Sequence, residues 1–342
     1  MDAFTRERES RGQFCHTYDD IISMENLLES WREFVRDKKR QRDVTEFTAH
    51  LADNILNLRQ DLAAKTYKHG GYRASKINDP KPRDIHIASV RDRLVHHAIY
   101  RVIYDHIDKH FIWDSYSCRR NKGTHRAINR FKEYARDTSC GHTRTVFVLK
   151  CDIRKFFASI DHTLLKEILE RQIVDKNLLA LLGTTIDSFH TKDRHNKGLP
   201  LGNLTSQLLA NIYMNEFDRW VKLKLKIRHY IRYADDFVML NTHKEFLEIL
   251  IPRINAFLET RLKISLHMGK VFIKTFASGV DFLGWVHFPT HRVLRKTTKR
   301  RMFARLNEIN AWSYVGLCRH GNGLKLMKEI RRRFPDLDDQ NP

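Results

Sequence analysis

The chain has 342 residues, 42% of them hydrophobic and 30% charged, which excludes a disordered protein and predicts one large domain or two to three subdomains. Its 62 Lys and Arg residues exceed its 41 Asp and Glu residues and give a net charge of +21. This excess favours a polyanionic partner, nucleic acid first, although a ribosome-associated or merely solubilising basic surface would carry the same charge.

The first third of the chain is predicted to be mainly helical. Residues 24–64 read as helix, and five apolar residues recur there at helical spacing: Phe47, Leu51, Ile55, Leu58 and Leu62. Gly70 and Gly71 end that pattern. Residues 76–83 are basic and contain two prolines, so they are predicted to be a loop or an edge strand. A further helix is predicted over 94–107.

From residue 145 onward, strands and helices are predicted in turn. Residues 145–149 are β-branched or aromatic and predict a buried strand that ends in Asp152, and Asp161 is a predicted N-cap for the next helix. The remaining predicted elements are a helix over 203–226, two short strands around a tight turn over 229–240, a helix over 245–260 that Pro252 kinks or splits, strands over 262–266, 271–276 and 280–287, and a basic helical tail from Thr297. This order predicts an α+β fold, with helices packed on one face of an antiparallel sheet.

The cysteines and the apolar segments indicate where the protein works. Five scattered cysteines without a C-x-x-C pair argue against a disulfide framework and fit a reducing cytoplasm. No apolar stretch approaches the roughly 20 residues that cross a bilayer. The charged residues 1–11 do not form a signal peptide. We therefore expect a soluble cytoplasmic protein, in a bacterial or phage-infected cell, with no membrane partner.

Acidic residues lie at the ends of two predicted strand units. Asp235 and Asp236 are flanked by apolar segments, where acidic residues are poor strand formers and costly to bury unpaired. A solvated turn would explain an isolated Asp-Asp pair. Asp152 also ends an apolar strand, so three carboxylates converge if the two strand units are neighbours in one sheet. Such a cluster needs cations, and two Mg²⁺ ions about 3.5–4 Å apart would activate a hydroxyl and stabilise a leaving pyrophosphate.

These residues belong to a series of motifs. YADD at 233–236 resembles the YxDD box of reverse transcriptases. Segments in the palm resemble further motifs of the family: LKCDIRKFFASID at 149–161 (motif A), GLPLGNLTSQ at 198–207 (motif B), 266–270 (motif D) and 282–285 (primer grip). Upstream, 81–85 and 90–93 resemble the fingers motifs, and 115–119 and 122–124 match bacterial members. Several motifs in family order are a stronger signal than one box. The resemblance covers residues 25–330 and implies an RNA-directed DNA polymerase with the right-hand polymerase fold.

The resemblance also implies a division of the chain. Residues 1–140 would form an N-terminal region and the fingers. Residues 141–287 would form the palm with the catalytic motifs, part of the motif B helix bordering the fingers. Residues 288–342 would form a helical, basic thumb, whose clusters at 295–301 and 331–333 are predicted to follow a phosphate backbone, with a solvated basic face as the alternative.

Motif B departs from the usual pattern of Gln-Gly-x-x-x-Ser-Pro. Leu201 stands where Gln is usual and Gln207 where Pro is usual, which is similar to the reverse transcriptases of diversity-generating retroelements. That family copies a template-repeat RNA with frequent errors at adenines, and the cDNA replaces a variable region of a target gene. The implied partners are template RNA, a DNA or RNA primer with its cDNA, and a small basic accessory variability protein that forms an oligomeric ring. The alternatives are a group II intron-like or stand-alone bacterial reverse transcriptase and a non-catalytic RNA-binding palm protein.

The resemblance assigns roles around the metal site. Asp152, Ile153, Asp235 and Asp236 would be the metal ligands, for two Mg²⁺ ions with Mn²⁺ as an alternative. Lys270 resembles the motif D lysine, a general acid for pyrophosphate, with a solvated turn lysine as the alternative.

Further residues are assigned to dNTP binding. Lys81, Arg83 and Arg91 would hold the triphosphate, unless they are ordinary basic surface residues. Phe157 would lie under the incoming sugar and exclude a 2′-hydroxyl; a core phenylalanine is the alternative, because Phe156 is its neighbour. The remaining assigned residues, from motif B, are Leu201, Gly202 and Gln207. Leucine cannot make the hydrogen bond that Gln would make near the nascent base pair, so discrimination against mispairs would fall, unless Leu201 simply packs.

Overall fold

The computed structural model describes residues 14–77, 83–191 and 194–335. The helices are α1 (Tyr18–Ile22), α2 (Met24–Val35), α3 (Arg42–Ala49), α4 (Leu51–Ala63), α5 (Val90–Lys109), α6 (Thr124–Thr138), α7 (Phe156–Ser159), α8 (His162–Glu170), α9 (Lys176–Asp187), α10 (Leu204–Arg219), α11 (Lys244–Leu262), α12 (Lys296–Arg305), α13 (Glu308–Arg319) and α14 (Leu324–Arg333). The strands are β1 (Tyr72–Ile77), β2 (Arg83–Ala88), β3 (Phe147–Asp152), β4 (Tyr230–Tyr233), β5 (Asp236–Asn241), β6 (Phe272–Thr275), β7 (Val280–Phe282), β8 (Trp285–His287) and β9 (Arg292–Leu294). Over these described ranges, no helix combines the length and the apolar character needed to cross a membrane.

The chain divides into two compact units that alternate along the sequence. The first unit comprises the residues up to Trp113, Ile153–Trp220 and Ala256–Ser265. The second comprises Asp114–Asp152, Val221–Asn255 and the residues from Leu266 onward. The predicted division into fingers, palm and thumb at residues 140 and 287 stays a prediction.

The first unit is mainly helical. Helix α5 packs against α2 and α10, and α8 packs against α9 and α10. The Asp161 side chain accepts a hydrogen bond from the Leu164 backbone N–H (3.1 Å), so the predicted N-cap of α8 is confirmed. The predicted helix over 24–64 is present as three helices, because turns at 36–41 and at His50 interrupt it. Strands β1 and β2 form an antiparallel hairpin in this unit.

A buried carboxylate joins the start of that hairpin to α5. Asp92 accepts hydrogen bonds from the hydroxyls of Tyr67 (2.7 Å) and Ser89 (2.6 Å) and from the Gly70 backbone N–H (3.1 Å). Asp92 is 1% exposed, so these hydrogen bonds replace the hydration that its carboxylate has lost. A buried carboxylate held by several hydrogen bonds tolerates little displacement. A substitution that adds an atom next to it is therefore expected to destabilise the fold.

The second unit contains a four-stranded antiparallel sheet in the order β4-β5-β3-β6. Helix α6 packs on β4 and β5, and Phe131 and Tyr134 of α6 share a buried cluster with Val148, Ile231 and Val238 of the strands. The predicted antiparallel sheet, with a helix against one face, is thus confirmed. A second sheet, β7-β8-β9, contributes Trp285 to another core with α12, α13 and α14.

Two predicted strands differ from the structure. The strand predicted over 262–266 is wrong: Leu262 ends α11, Lys263 takes a left-handed conformation (φ 51°), and the alternating apolar side chains are buried from an irregular segment. Helix α11 runs through Pro252 without splitting, and the predicted kink, the other alternative, stays a prediction. The single strand predicted over 280–287 is a hairpin, because Leu283 and Gly284 both have positive φ and form a two-residue turn. Strand β9 was not predicted.

Gly70→Ala is expected to lower the free energy of unfolding by about 1–3 kcal/mol, because the new Cβ would lie 2.9 Å from Asp92 Oδ2 and disturb a buried carboxylate. Gly71→Ala is the matched control, since its Cβ would meet nothing within 4 Å. Denaturant midpoints compare the two variants, and equal stabilities would contradict the role given to Asp92.

Candidate active site

The hairpin of β4 and β5 carries two acidic residues at its turn. Tyr233 pairs with Asp236, so Ala234 and Asp235 alone form the connection. Ala234 has φ 55°, in the left-handed region that residues other than glycine seldom adopt. Such backbone persists only where the surroundings fix it, and it is concentrated at functional sites.

Arg232 supplies part of that fixation. It is 0% exposed, and its guanidinium donates hydrogen bonds to the Ala234 carbonyl (3.1 Å) and the Ser115 hydroxyl (3.0 Å). Its backbone N–H donates to the Asp114 carbonyl (3.0 Å). Arg232 was not among the residues predicted for the site. An arginine inside an otherwise apolar strand, directly before the YxDD box, was the available signal.

The other acid of the cluster lies on the neighbouring strand. In the antiparallel pairing of β3 and β5, Asp152 stands directly opposite Asp236. The predicted convergence of the two strand units is therefore present, and Asp235 lies in the adjoining turn. Like charges placed opposite each other repel unless a cation lies between or beside them.

Two lysines provide cations beside these acids. Lys150 Nζ lies 3.1 Å from Asp236 Oδ2 and donates a hydrogen bond to the Asp281 carbonyl (3.0 Å). Lys270 Nζ lies 2.7 Å from Asp152 Oδ1, so the predicted Lys270 does reach the acid cluster. Lys150 was missed, although alternation along β3 places it on the same face as Asp152.

The Asp236 carboxyl has an unusual environment. Burial raises the pKa of Asp236 to about 6; Lys150 opposes that shift, and the charges of Asp152 and Asp235 add to it. Asp236 Oδ1 is buried and has no hydrogen-bond partner among the described residues. A buried acceptor without a partner is costly, and a bound cation would satisfy it.

A hard divalent ion fits this donor set, because carboxylate oxygens are the ligands that Mg²⁺ prefers. Over the described residues, no group of three or more His, Cys, Asp or Glu side chains is arranged as a metal site, and Lys150 and Lys270 supply the positive charge beside the acids. Ile153, also predicted as a ligand, has a buried apolar side chain, so only its main-chain carbonyl could bind a metal.

The residues predicted to hold a triphosphate belong to the first unit or lie outside the described residues. Lys81 lies outside them. Arg83 is exposed at the start of β2. Arg91 pairs with Asp61 (2.5 Å) and lies over the Tyr67 ring (4.9 Å), so contact with a triphosphate would compete with that ion pair.

Motif A and motif B residues of the first unit are held by nearby backbone. Phe156 is buried and Phe157 is half-buried, so one of the two rings packs in the core. The Leu201 carbonyl accepts a hydrogen bond from the His86 N–H of β2 (2.9 Å). Gly202 has φ 103°, which favours glycine. The remaining predicted residue, Gln207, is half-buried in the first turns of α10.

A cavity of about 780 Å³ lies beside Gly202, also within the first unit. Its walls include Arg73, Ile85 and Ile87 of the β1–β2 hairpin, and Arg93, which pairs with Asp43. This cavity was not predicted, because its walls come from segments far apart along the chain.

Comparisons with known proteins agree with this arrangement. The family model described as reverse transcriptase (RNA-dependent DNA polymerase) matches residues 74–287. Protein YkfC of Escherichia coli (strain K12) is 29% identical over 293 residues, which cover 75% of each chain. The group II intron-encoded protein LtrA of Lactococcus lactis subsp. cremoris is 24% identical over 303 residues, covering 68% of this chain and 49% of LtrA.

A solved structure, that of apo telomerase from Candida tropicalis truncated from the C-terminal domain, shares the fold with a TM-score of 0.50 and 10% identity. The match covers 72% of this chain and 60% of the telomerase chain. The chain thus spans about half of LtrA and somewhat more of the telomerase chain. The fold is the mixed helix and sheet fold of right-hand polymerases. Because the family model matches more than half of its residues, the chain belongs to the reverse transcriptase (RNA-dependent DNA polymerase) family.

Proposed function

We propose that the protein extends a DNA or RNA primer on a template RNA by two-metal-ion nucleotidyl transfer. The observation that carries this proposal is the β3–β5 register, which sets Asp152 opposite Asp236, with a buried Asp236 oxygen that has no partner in the described part of the chain. Asp152, Asp235 and Asp236 would hold the ions. Divalent ions bound there, Mg²⁺ or Mn²⁺, would activate the primer 3′-hydroxyl and stabilise the leaving pyrophosphate.

The protein's own side chains would then position charge and move one proton. Arg232 holds the turn that presents Asp235, through the Ala234 carbonyl. Lys150, whose side chain is 14% exposed, offsets the charge of Asp236. Lys270 pairs with Asp152 and its side chain is 44% exposed, so its ammonium group would be accessible to pyrophosphate and would protonate it.

The finer proposal is that the template is the template-repeat RNA of a diversity-generating retroelement and that the cDNA carries errors at adenines. Leu201 and Gln207 support it, since both depart from the usual motif B. The Leu201 backbone is anchored to β2, so the difference from a glutamine lies in the side chain. The accessory variability protein, as an oligomeric ring, is a proposed partner by the same resemblance.

A group II intron-like or stand-alone reverse transcriptase is the second candidate. The similarity to LtrA over 68% of the chain favours it. The cDNA error spectrum separates the two candidates, because only a retroelement enzyme would concentrate its errors at adenines. A non-catalytic RNA-binding protein would synthesise no cDNA at all.

Asp152→Asn, Asp235→Asn and Asp236→Asn are each expected to lower cDNA synthesis on primed RNA by at least about 100-fold, because each removes charge from the proposed metal site. Primer-extension gels with Mg²⁺ and dNTPs measure the effect. Asp53→Asn, on the exposed face of α4, should retain activity. Undiminished synthesis by the three variants would sink the proposed function.

Lys270→Leu is expected to lower kcat by about 100-fold, the lower end of the range for a general acid, with a small change in KM for dNTP. Lys270→Arg should be nearly as slow, because it restores the charge beside Asp152 but gives up a proton poorly. Rapid-quench measurement of single-nucleotide incorporation tests this, with Lys274→Leu on β6 as the control. Full rescue by Arg would leave Lys270 only an electrostatic role.

Leu201→Gln is expected to reduce misincorporation at template adenines about fivefold, the effect of one hydrogen bond worth about 1 kcal/mol. Deep sequencing of cDNA made on a cognate template measures it. Leu164→Gln, a half-buried leucine of α8, is the matched control. Unchanged adenine errors in the Leu201 variant would mean that this side chain merely packs.

A further inference from the structure

A small basic cavity lies within the second unit, apart from the acid cluster. It has a volume of about 260 Å³ and lies among α6, the β8–β9 turn and the C-terminal end of α13. Six of its lining residues define the basic pocket: Lys132, Phe288, His291, Arg292, Arg319 and His320. This volume is below the roughly 300–1,000 Å³ of sites for drug-sized ligands, so it suits one small group.

The charge of the basic pocket is one-sided. Lys132, Arg292 and Arg319 contribute three cations, and no acidic residue of the described chain lines the cavity. By contrast, Lys244 on an exposed part of the same unit pairs with the carboxylate of Glu248 (2.8 Å). Three converging cations without a carboxylate attract an anion of more than one charge.

Arg292 has an unused donor. Its Nε donates to the His320 carbonyl, and its Nη2 donates to Asn129 Oδ1 (2.8 Å). Its Nη1 is buried and has no hydrogen-bond partner among the described residues. Burial lowers the pKa of Arg292, because the guanidinium has lost part of its hydration. An acceptor oxygen inside the pocket would satisfy the remaining N–H groups.

Contacts in the wall of the pocket hold the Arg292 backbone in place. The Asn322 backbone N–H donates to the Arg292 carbonyl (2.8 Å), which joins β9 to the end of α13. Gly321 permits this close approach, because a Cβ there would collide with the Trp285 ring. The Phe288 and His291 rings are stacked at the rim, with centroids 4.9 Å apart. Stacked rings beside cations also suit a sugar or a base next to a phosphate.

We propose that the basic pocket binds a phosphate group of a nucleic acid strand. Phosphate matches the three cations in charge, and its oxygens match the planar guanidinium fork of Arg292. The inference rests on the proposed function for the nature of the strand. Its test needs no polymerisation, so the two proposals can fail separately.

The test measures binding of a short fluorescent single-stranded DNA in EDTA, by anisotropy, over a series of salt concentrations. Lys132→Gln/Arg319→Gln removes the two exposed cations of the pocket and keeps the half-buried Arg292. Lys244→Gln/Arg253→Gln removes the same charge from the exposed face of α11 and is the matched control.

The pocket variant is expected to bind about tenfold more weakly, and its slope of log K against log salt should be shallower by about 1.4. The control should match the unaltered protein. The probe is used with a 5′-phosphate and with a 5′-hydroxyl: equal losses assign the pocket to an internal phosphate, and a loss confined to the phosphorylated probe assigns it to a strand end. Equal binding by the pocket variant and the control would overturn the inference.

Discussion

The register of β3 and β5 is the constraint on which the candidate site depends. It places the Asp152 and Asp236 side chains directly opposite each other, which costs free energy through repulsion unless positive charge lies close by. Lys150 supplies that charge beside Asp236, and Lys270 supplies it beside Asp152. In such a site a lysine can be replaced as the partner of the carboxylates, because a cation that binds them more strongly than an ammonium group displaces that group.

Around this register, buried polar groups hold the backbone where apolar packing alone would not. The left-handed Ala234 is supported by a guanidinium that has lost its hydration. Asp114, whose carbonyl accepts from the Arg232 N–H, has a carboxylate bound by Tyr134 (2.6 Å) and Lys222 (3.1 Å). Removing one partner from such a network leaves a buried group unsatisfied, so its members depend on one another.

The sequence revealed the parts of the structure that local chemistry determines. The strand that ends in Asp152, the hairpin that carries the YxDD box and the N-cap at Asp161 all follow from patterns within a few residues, and all are present. Lys150 was missed because its role depends on which strand lies beside β3. The strand wrongly predicted over 262–266 shows the converse, since buried apolar residues alternate there in an irregular segment. The basic pocket was equally hidden, because its cations come from three distant segments.

The interleaving of the two units has a consequence for the inheritance of this fold. Six segments alternate between the units, so the chain crosses from one to the other five times. Neither unit corresponds to a contiguous stretch of gene that recombination could transplant as a cassette. Shuffling within such a gene would divide both units at once, and lineages of this protein should therefore diversify by point substitution and by additions at the ends.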